Sequence, residues 1–173
     1  MNDWEQFYGS VKEEMPHDMP EPLGLEMIIT VYVDADLAGE KLRRRSRTGF
    51  IVFLNQGPIY WYSKRQGSIQ TSTFGAEFMA MKTCCEYIRG LRYKLRMFGI
   101  PVSQPAFVYG DNQAVLKNVT IPESTLKKKS QSIAYHFVRE GVAMEEWLAA
   151  YTRSEHNCSD TQTKTVPAGS KRR

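Results

Sequence analysis

Residues 31–81 read VYVDADLAGEKLRRRSRTGFIVFLNQGPIYWYSKRQGSIQTSTFGAEFMAM. With the residues just before it, the stretch opens on MIITVYV (27–33), an almost continuous run of apolar and β-branched side chains that ends in Asp34. Such a run suits a strand covered on both faces rather than a sheet edge. After a basic loop, GFIVFLN (49–55) and PIYWYSK (58–64) are two β-rich runs separated by Gln56 and Gly57, which predicts a tight hairpin turn. In the second run one of Tyr60 and Trp61 should face the core and the other solvent, because side chains alternate along a strand. From Gly75 to Phe98 the apolar residues Phe78, Met81, Cys85 and Ile88, then Leu95 and Phe98, keep the period of an amphipathic helix. Ser72 and Thr73 are its N-cap candidates and Gly99 its C-cap.

Beyond this block, AFVYGD (106–111) predicts a fourth strand that runs straight into a short helix, NQAVLKNV (112–119). A second amphipathic stretch spans about 130–143, WLAAY (147–151) predicts a fifth strand, and a last short helix begins near Cys158. Three strands, then helices alternating with two more strands, is an α/β layout with helices packed on a mixed sheet. Residues 1–25, rich in proline and acidic groups, read as a linker; 26–166 form one domain; 167–173 are a basic tail.

A chain of 173 residues is sized for one domain with a real core. No apolar run approaches the roughly 20 residues of a membrane span, and the polar, acidic start does not read as a secretory signal, so an intracellular protein without membrane partners is expected. The three cysteines imply neither a disulfide framework nor a zinc site. The net charge is only +4, but it is clustered in KLRRRSR (41–47), Lys64 with Arg65, KKK (127–129) and the terminal KRR. Clustered cations suit a polyanion, because neutralised phosphates release their counterions.

Asp34 and Asp111 each stand at the carboxyl end of an apolar strand, where open α/β sheets place their ligand sites. Glu77 lies in the predicted first turn of the long helix, just before its apolar stripe, and Asp160 near the start of the last helix. Four carboxylates gathered at one place repel one another unless a cation neutralises them. An oxygen-rich, histidine-poor set favours magnesium or manganese over zinc. Two such ions about 4 Å apart suit an in-line phosphoryl displacement, activating a water and stabilising the leaving 3′ oxygen. Singly, an aspartate at a strand end is as well explained as a loop or cap residue.

The blocks quoted above, in order and spacing, resemble the ribonuclease H domain of copia-type retrotransposon polyproteins. The family pattern runs as an Asp-Ala-Asp-x-Ala-Gly block, a Ser-x-Thr-Gly strand, a Pro-Ile-x-Trp-x-Ser-Lys-x-Gln hairpin and an Ala-Glu helix start. YGDNQAV, YHFVRE and HNCSDTQTK continue the resemblance, which covers about Met27 to Lys164. It implies an RNase H-like α/β fold, a five-stranded mixed sheet flanked by helices with the Asp34 and Asp111 strands side by side. It further implies Asp34, Glu77, Asp111 and Asp160 as ligands of two Mg2+ (or Mn2+) ions, and endonucleolytic hydrolysis of the RNA strand of an RNA–DNA hybrid during reverse transcription. The implied partners are the hybrid and the upstream reverse transcriptase and integrase parts of a polyprotein. The implied location is the cytoplasm, in a virus-like particle, with the nucleus as a further compartment. The chain departs from the pattern at Leu37, where Trp or His is usual, at Gly75, where many members have Glu, and at KKKSQSI (127–133).

Secondary candidates surround these acids. Ser72 and Thr73, with Ser68 and Thr71, could hold a substrate phosphate at a helix N-terminus, although capping explains them equally well. Asn112 and Gln113 could reach the minor groove, where the 2′-hydroxyl marks RNA. His156, four residues before Asp160, could assist proton transfer, whereas His136 reads as a packing or hydrogen-bonding residue. Two other readings belong to different classes: a catalytically decayed remnant that only binds nucleic acid, and a connection domain that structurally supports a polymerase. The chain carries no Tyr-x-Asp-Asp polymerase motif.

Overall fold

The computed structural model describes residues 4–37, 45–126 and 131–164. Most of the basic runs, including residues 41–44, 127–129 and the tail at 167–173, lie outside the described residues. Strands β1 (Ile29–Asp36), β2 (Arg47–Leu54) and β3 (Gly57–Arg65) form an antiparallel meander, followed by helix α2 (Thr73–Met97). A four-residue helix, α1 (Glu5–Tyr8), precedes them. Strand β4 (Ala106–Gly110), helices α3 (Gln113–Thr120) and α4 (Ser132–Ala143), and strand β5 (Trp147–Tyr151) follow. A single 3-10 turn (Ser154–His156) leads into the short helix α5 (Asp160–Thr163).

The five strands lie in the order β3-β2-β1-β4-β5. β1 pairs antiparallel with β2 and parallel with β4, and β5 is parallel to β4, so the sheet is mixed, as expected. The strands that carry Asp34 and precede Asp111 are therefore neighbours running the same way. β1 is covered unequally on its two faces, a refinement of the expectation. Ile29, Val31, Val33 and Ala35 are buried, whereas Thr30 and Tyr32 are only half-covered, Tyr32 by stacking on Tyr109 with ring centroids 5.3 Å apart.

The hairpin turn falls one residue earlier than expected. Asn55 and Gln56 are its loop residues, and Gly57 already pairs with Leu54 as the first residue of β3. Asn55 takes the left-handed conformation (φ 54°), which asparagine tolerates. Its side-chain oxygen accepts the Ile28 amide at 2.9 Å, and this contact holds the turn against the start of β1. Tyr60 turns inward and stacks on Tyr87 of α2 at 4.3 Å, while Trp61 faces out, as the alternation required.

Helix α2 packs its buried stripe of Ala76, Phe78, Ala80, Met81, Cys84, Cys85 and Ile88 on the sheet. Ser72 is its N-cap, accepting from the Gly75 amide at 3.1 Å. Its far end closes as a Schellman motif: Ile100 donates to the Leu95 carbonyl and Gly99, at φ 69°, donates to Arg96. Trp147 of β5 is fully buried under α4, with its indole N–H donating to the Val138 carbonyl. Gly141 makes room for that ring, since a Cβ there would run into it.

Residues 4–26 contain no regular element beyond α1, yet they are tied to the rest of the fold. Glu13 accepts from both Arg92 and Arg96 of α2, at 2.5–2.8 Å. Trp4 covers the guanidinium of Arg139, and the Tyr8 hydroxyl lies 3.1 Å from His136 Nδ1. His136 is thus a hydrogen-bonding residue on α4. The Arg139 head is otherwise satisfied by the carbonyls of Asn118, Ile121 and Pro122 at the end of α3, where a cation complements the exposed carbonyl ends of a helix.

Candidate active site

The register of the sheet delivers the first two acids. Asp34 lies near the carboxyl end of the central strand, and Asp111 directly follows β4, its parallel neighbour. Because the helix begins at Thr73, Glu77 opens the second turn of α2 rather than standing in its first. From there it reaches the same end of the sheet, where it is hydrogen-bonded by the Ala35 amide. One oxygen from each of Asp34, Glu77 and Asp111 lies within 4.8 Å of the others, and the first two residues are buried.

This grouping is costly without a cation. Burial raises the Glu77 carboxyl to about 9, and the charges of Asp34 and Asp111 push in the same direction. Asp34 is also raised, by burial first, against the opposing hydrogen bond from Thr163 and the charge of Lys164. The donor set is oxygen alone, with no histidine or cysteine in the group. Its spacing suits a hard divalent ion with ligands at roughly 2.0–2.6 Å, because opposite ligands of such an ion stand about twice that bond length apart. The residues present therefore fit Mg2+ or Mn2+.

Asp160, the fourth expected acid, is close but does not join the group. Its Oδ1 accepts from Lys164 Nζ at 2.9 Å, and the same ammonium lies 4.0 Å from Asp34 Oδ2. Burial alone would disfavour the ammonium, but Asp160 and Asp34 outweigh it and hold the lysine above its usual value. Thr163 donates to Asp34 Oδ2, so α5 approaches the central strand directly. The approach depends on Gly49, the partner of Asp34 in β2. A Cβ at Gly49 would lie 2.6 Å from Thr163 Cγ2 and 2.8 Å from Gln162 Cβ.

Further groups that reading the sequence did not single out hold the site in shape. Asn157 is buried and donates to the Val33 carbonyl, while its own carbonyl oxygen accepts from Ser159. Ser154 donates to Asp111 Oδ2 at 2.7 Å. Gln66 donates to both Thr48 Oγ1 and the Ala76 carbonyl, and thereby fixes the start of α2 against β2. Ser, Thr and Asn occur in every loop, so only their folded positions distinguish these.

The secondary candidates are scattered. Thr73 is exposed at the start of α2, and Ser72 is engaged as the cap. Asn112 caps α3 by accepting from Ala114 and Val115, and Gln113 is exposed beside it. His156 is exposed on the 3-10 turn and lines a shallow groove with Thr30, Tyr32, Phe53 and Asn55 rather than meeting the three acids. At Gly75, one departure from the family pattern, a Cβ would lie 2.7 Å from Gln70 Oε1 and 3.2 Å from Gln131 Nε2. Those two amides fill the space.

No family model matches the chain. Among curated proteins, it is 29% identical over 143 residues to the Retrovirus-related Pol polyprotein from transposon RE1 of Arabidopsis thaliana, covering 83% of the chain and 10% of that protein. It is 30% identical over 144 residues to the corresponding polyprotein from transposon TNT 1-94 of Nicotiana tabacum, covering 83% of the chain and 11% of that protein. The chain thus spans about a tenth of the length of these relatives. Among solved structures, it superposes on LC11-RNase H1 in complex with an RNA/DNA hybrid, an enzyme isolated from compost by a metagenomic approach. That match has a TM-score of 0.61 and 14% identity, covering 78% of this chain and 93% of the other. The sheet order and flanking helices are accordingly those of a ribonuclease H fold, and the chain's sequence homologues are retrovirus-related Pol polyproteins of transposons.

Proposed function

We propose that this chain hydrolyses the RNA strand of an RNA–DNA hybrid in a divalent-metal-dependent reaction, as the ribonuclease H domain of a retrotransposon polyprotein. The observation that carries the reading is the close Asp34–Glu77–Asp111 group on this fold, two of its three carboxylates buried. Its wider context would be removal of the RNA template during reverse transcription, alongside reverse transcriptase and integrase parts, in a cytoplasmic particle. No described helix is long and apolar enough to cross a membrane.

Asp34, Glu77 and Asp111 would hold the ion or ions, with Asp160 as a fourth carboxylate. Bound there, divalent cations would lower the cost of generating a water nucleophile and of the charge that develops on the leaving 3′ oxygen. The chain's own residues prepare the place. Thr163 and the Ala35 amide fix the Asp34 and Glu77 carboxylates, and Ser154 fixes Asp111. At the N-terminus of α2, with its first amides and the Thr73 hydroxyl, a phosphate of the hybrid would find donors. Gln113, exposed next to Asp111, would test for the 2′-hydroxyl. In the reaction, water adds to phosphorus as the bond to the 3′ oxygen breaks, leaving a phosphate on one fragment and a hydroxyl on the other.

Cleavage of a labelled RNA–DNA hybrid with Mg2+, compared with duplex DNA, duplex RNA and the Asp34→Asn variant, tests the reading. Hybrid-specific cutting that disappears in the variant is expected. Hybrid binding without cutting would overturn it in favour of a nucleic-acid-binding remnant.

A further inference from the structure

Lys164 directly follows α5, and its ammonium stands in the gap between the fourth carboxylate and the triad, 2.9 Å from Asp160 Oδ1 and 4.0 Å from Asp34 Oδ2. The three triad oxygens lie within 4.8 Å of one another, a span that one oxygen-ligated divalent ion can bridge. A second ion shared by Asp34 and Asp160 would need the place that the ammonium holds. We propose that Lys164 is a tethered cation at this second position. The protein then takes one divalent ion tightly on Asp34, Glu77 and Asp111, and admits a second, between Asp34 and Asp160, only when the lysine swings out.

Three features of the fold support this role. The lysine is set by its helix: it lies four residues after Asp160, and Thr163 beside it is bonded to Asp34, so the end of α5 is anchored on the central strand. Gly49 permits that anchoring, as a side chain there would lift Gln162 and Thr163 off the sheet. Finally, the Lys164 side chain is half-exposed, so it has an outward path that requires no rearrangement of the core. A dication entering beside the ammonium would meet direct repulsion, which makes lysine and second ion alternatives at one location.

The inference rests on the metal-dependent reading above, and its test keeps the two apart. Mn2+ is titrated into the whole metal-free chain, without nucleic acid, and followed by calorimetry and by electron paramagnetic resonance, in which two neighbouring ions give a spin-coupled signal. The wild-type chain is expected to bind one ion tightly and a second weakly. In Lys164→Met the second should tighten by roughly tenfold or more, with the first little changed, while Lys164→Arg should behave as wild type. Thermal melts establish that each variant is folded, and Lys164→Gln serves as a second neutral variant. Equal second-ion affinity in wild type and in the folded neutral variants would overturn the role of Lys164 and leave the metal reading standing. If wild type bound no more Mn2+ than Asp111→Asn, the metal reading would fall, and this inference with it.

Discussion

The two ends of helix α2 carry opposite solutions to the burial of charge. At the carboxyl end, Arg92 and Arg96 are buried, but Glu13 accepts from both, and the carbonyls of Gln104 and Val102 each accept a further bond from one of them. At the amino end, Glu77 is buried against two further carboxylates, with one backbone amide as its main relief. Burial works against the ionisation of Glu13 too, yet the bonds from Arg92 and Arg96 outweigh it and hold that carboxyl at about 2, whereas Glu77 is driven to about 9. One helix thus combines a cluster whose charges are paired with one in which burial and neighbouring carboxylates disfavour ionisation. The difference separates the two clusters more sharply than burial alone, which is similar at both ends.

The comparison can be broken most severely at Asp34. Asp34→Asn should lower hybrid cleavage by on the order of 10³-fold, because a metal site contributes several kcal/mol to transition-state stabilisation. In the metal-free state the same change should raise the melting temperature, since it removes one of the repelling charges. A variant that lost activity and stability together would show that the acid cluster is structural.

At the other end, Glu13→Ala should destabilise by about 3–5 kcal/mol in urea unfolding, because it leaves two buried guanidinium groups without a counter-charge. A change below about 1 kcal/mol, the range of exposed ion pairs, would mean that the N-terminal segment is not held as the structure shows it.

The two ends also predict opposite pH dependences for the metal-free protein. Glu77 has a raised folded value, so its contribution is fully present below its unfolded value of 4.5 and is lost as pH climbs toward about 9. Glu13 has a depressed value, so its contribution is present above 4.5 and is lost as pH falls toward about 2. Stability should therefore fall on both sides of mildly acidic pH, by on the order of a few kcal/mol at each extreme. Glu77→Gln should flatten only the alkaline limb, and Glu13→Gln only the acid limb. Melting curves across pH, repeated with Mg2+, check this: the ion should restore stability chiefly on the alkaline side.

The smallest expected effect separates packing from the site. Gly49→Ala should cost about 1–3 kcal/mol of stability, as an overpacked contact does. Because the displaced atoms belong to Gln162 and Thr163, it should weaken Mn2+ binding as well. Gly141→Ala, which strikes Trp147 away from the acids, should cost a similar amount and leave Mn2+ affinity unaltered.

Much of this was legible in the chain. The apolar run ending in Asp34, the hairpin and the long amphipathic helix are local patterns, and the structure holds them with shifts of a few residues at their ends. The turn at Asn55 was displaced by one residue because the asparagine tolerates the left-handed conformation and its side chain also bonds Ile28. The ties of residues 4–26 were not legible. Glu13 precedes its arginine partners by about eighty residues, and an acidic, proline-rich segment looks the same in sequence whether it is solvated or clamped.

By itself, the sequence determined the alternation of strands and helices, because hydrophobic period is a property of the linear chain, and its motif wording carried the family resemblance that nominated the acids. Only the tertiary structure decided which acids share a point in space, that Asp160 is held apart by Lys164, and that Thr163, Ser154 and Gly49 shape the place. Distances of a few ångströms between carboxylates depend on strand register and on how closely α5 can approach β2, and neither is encoded in any one segment read alone.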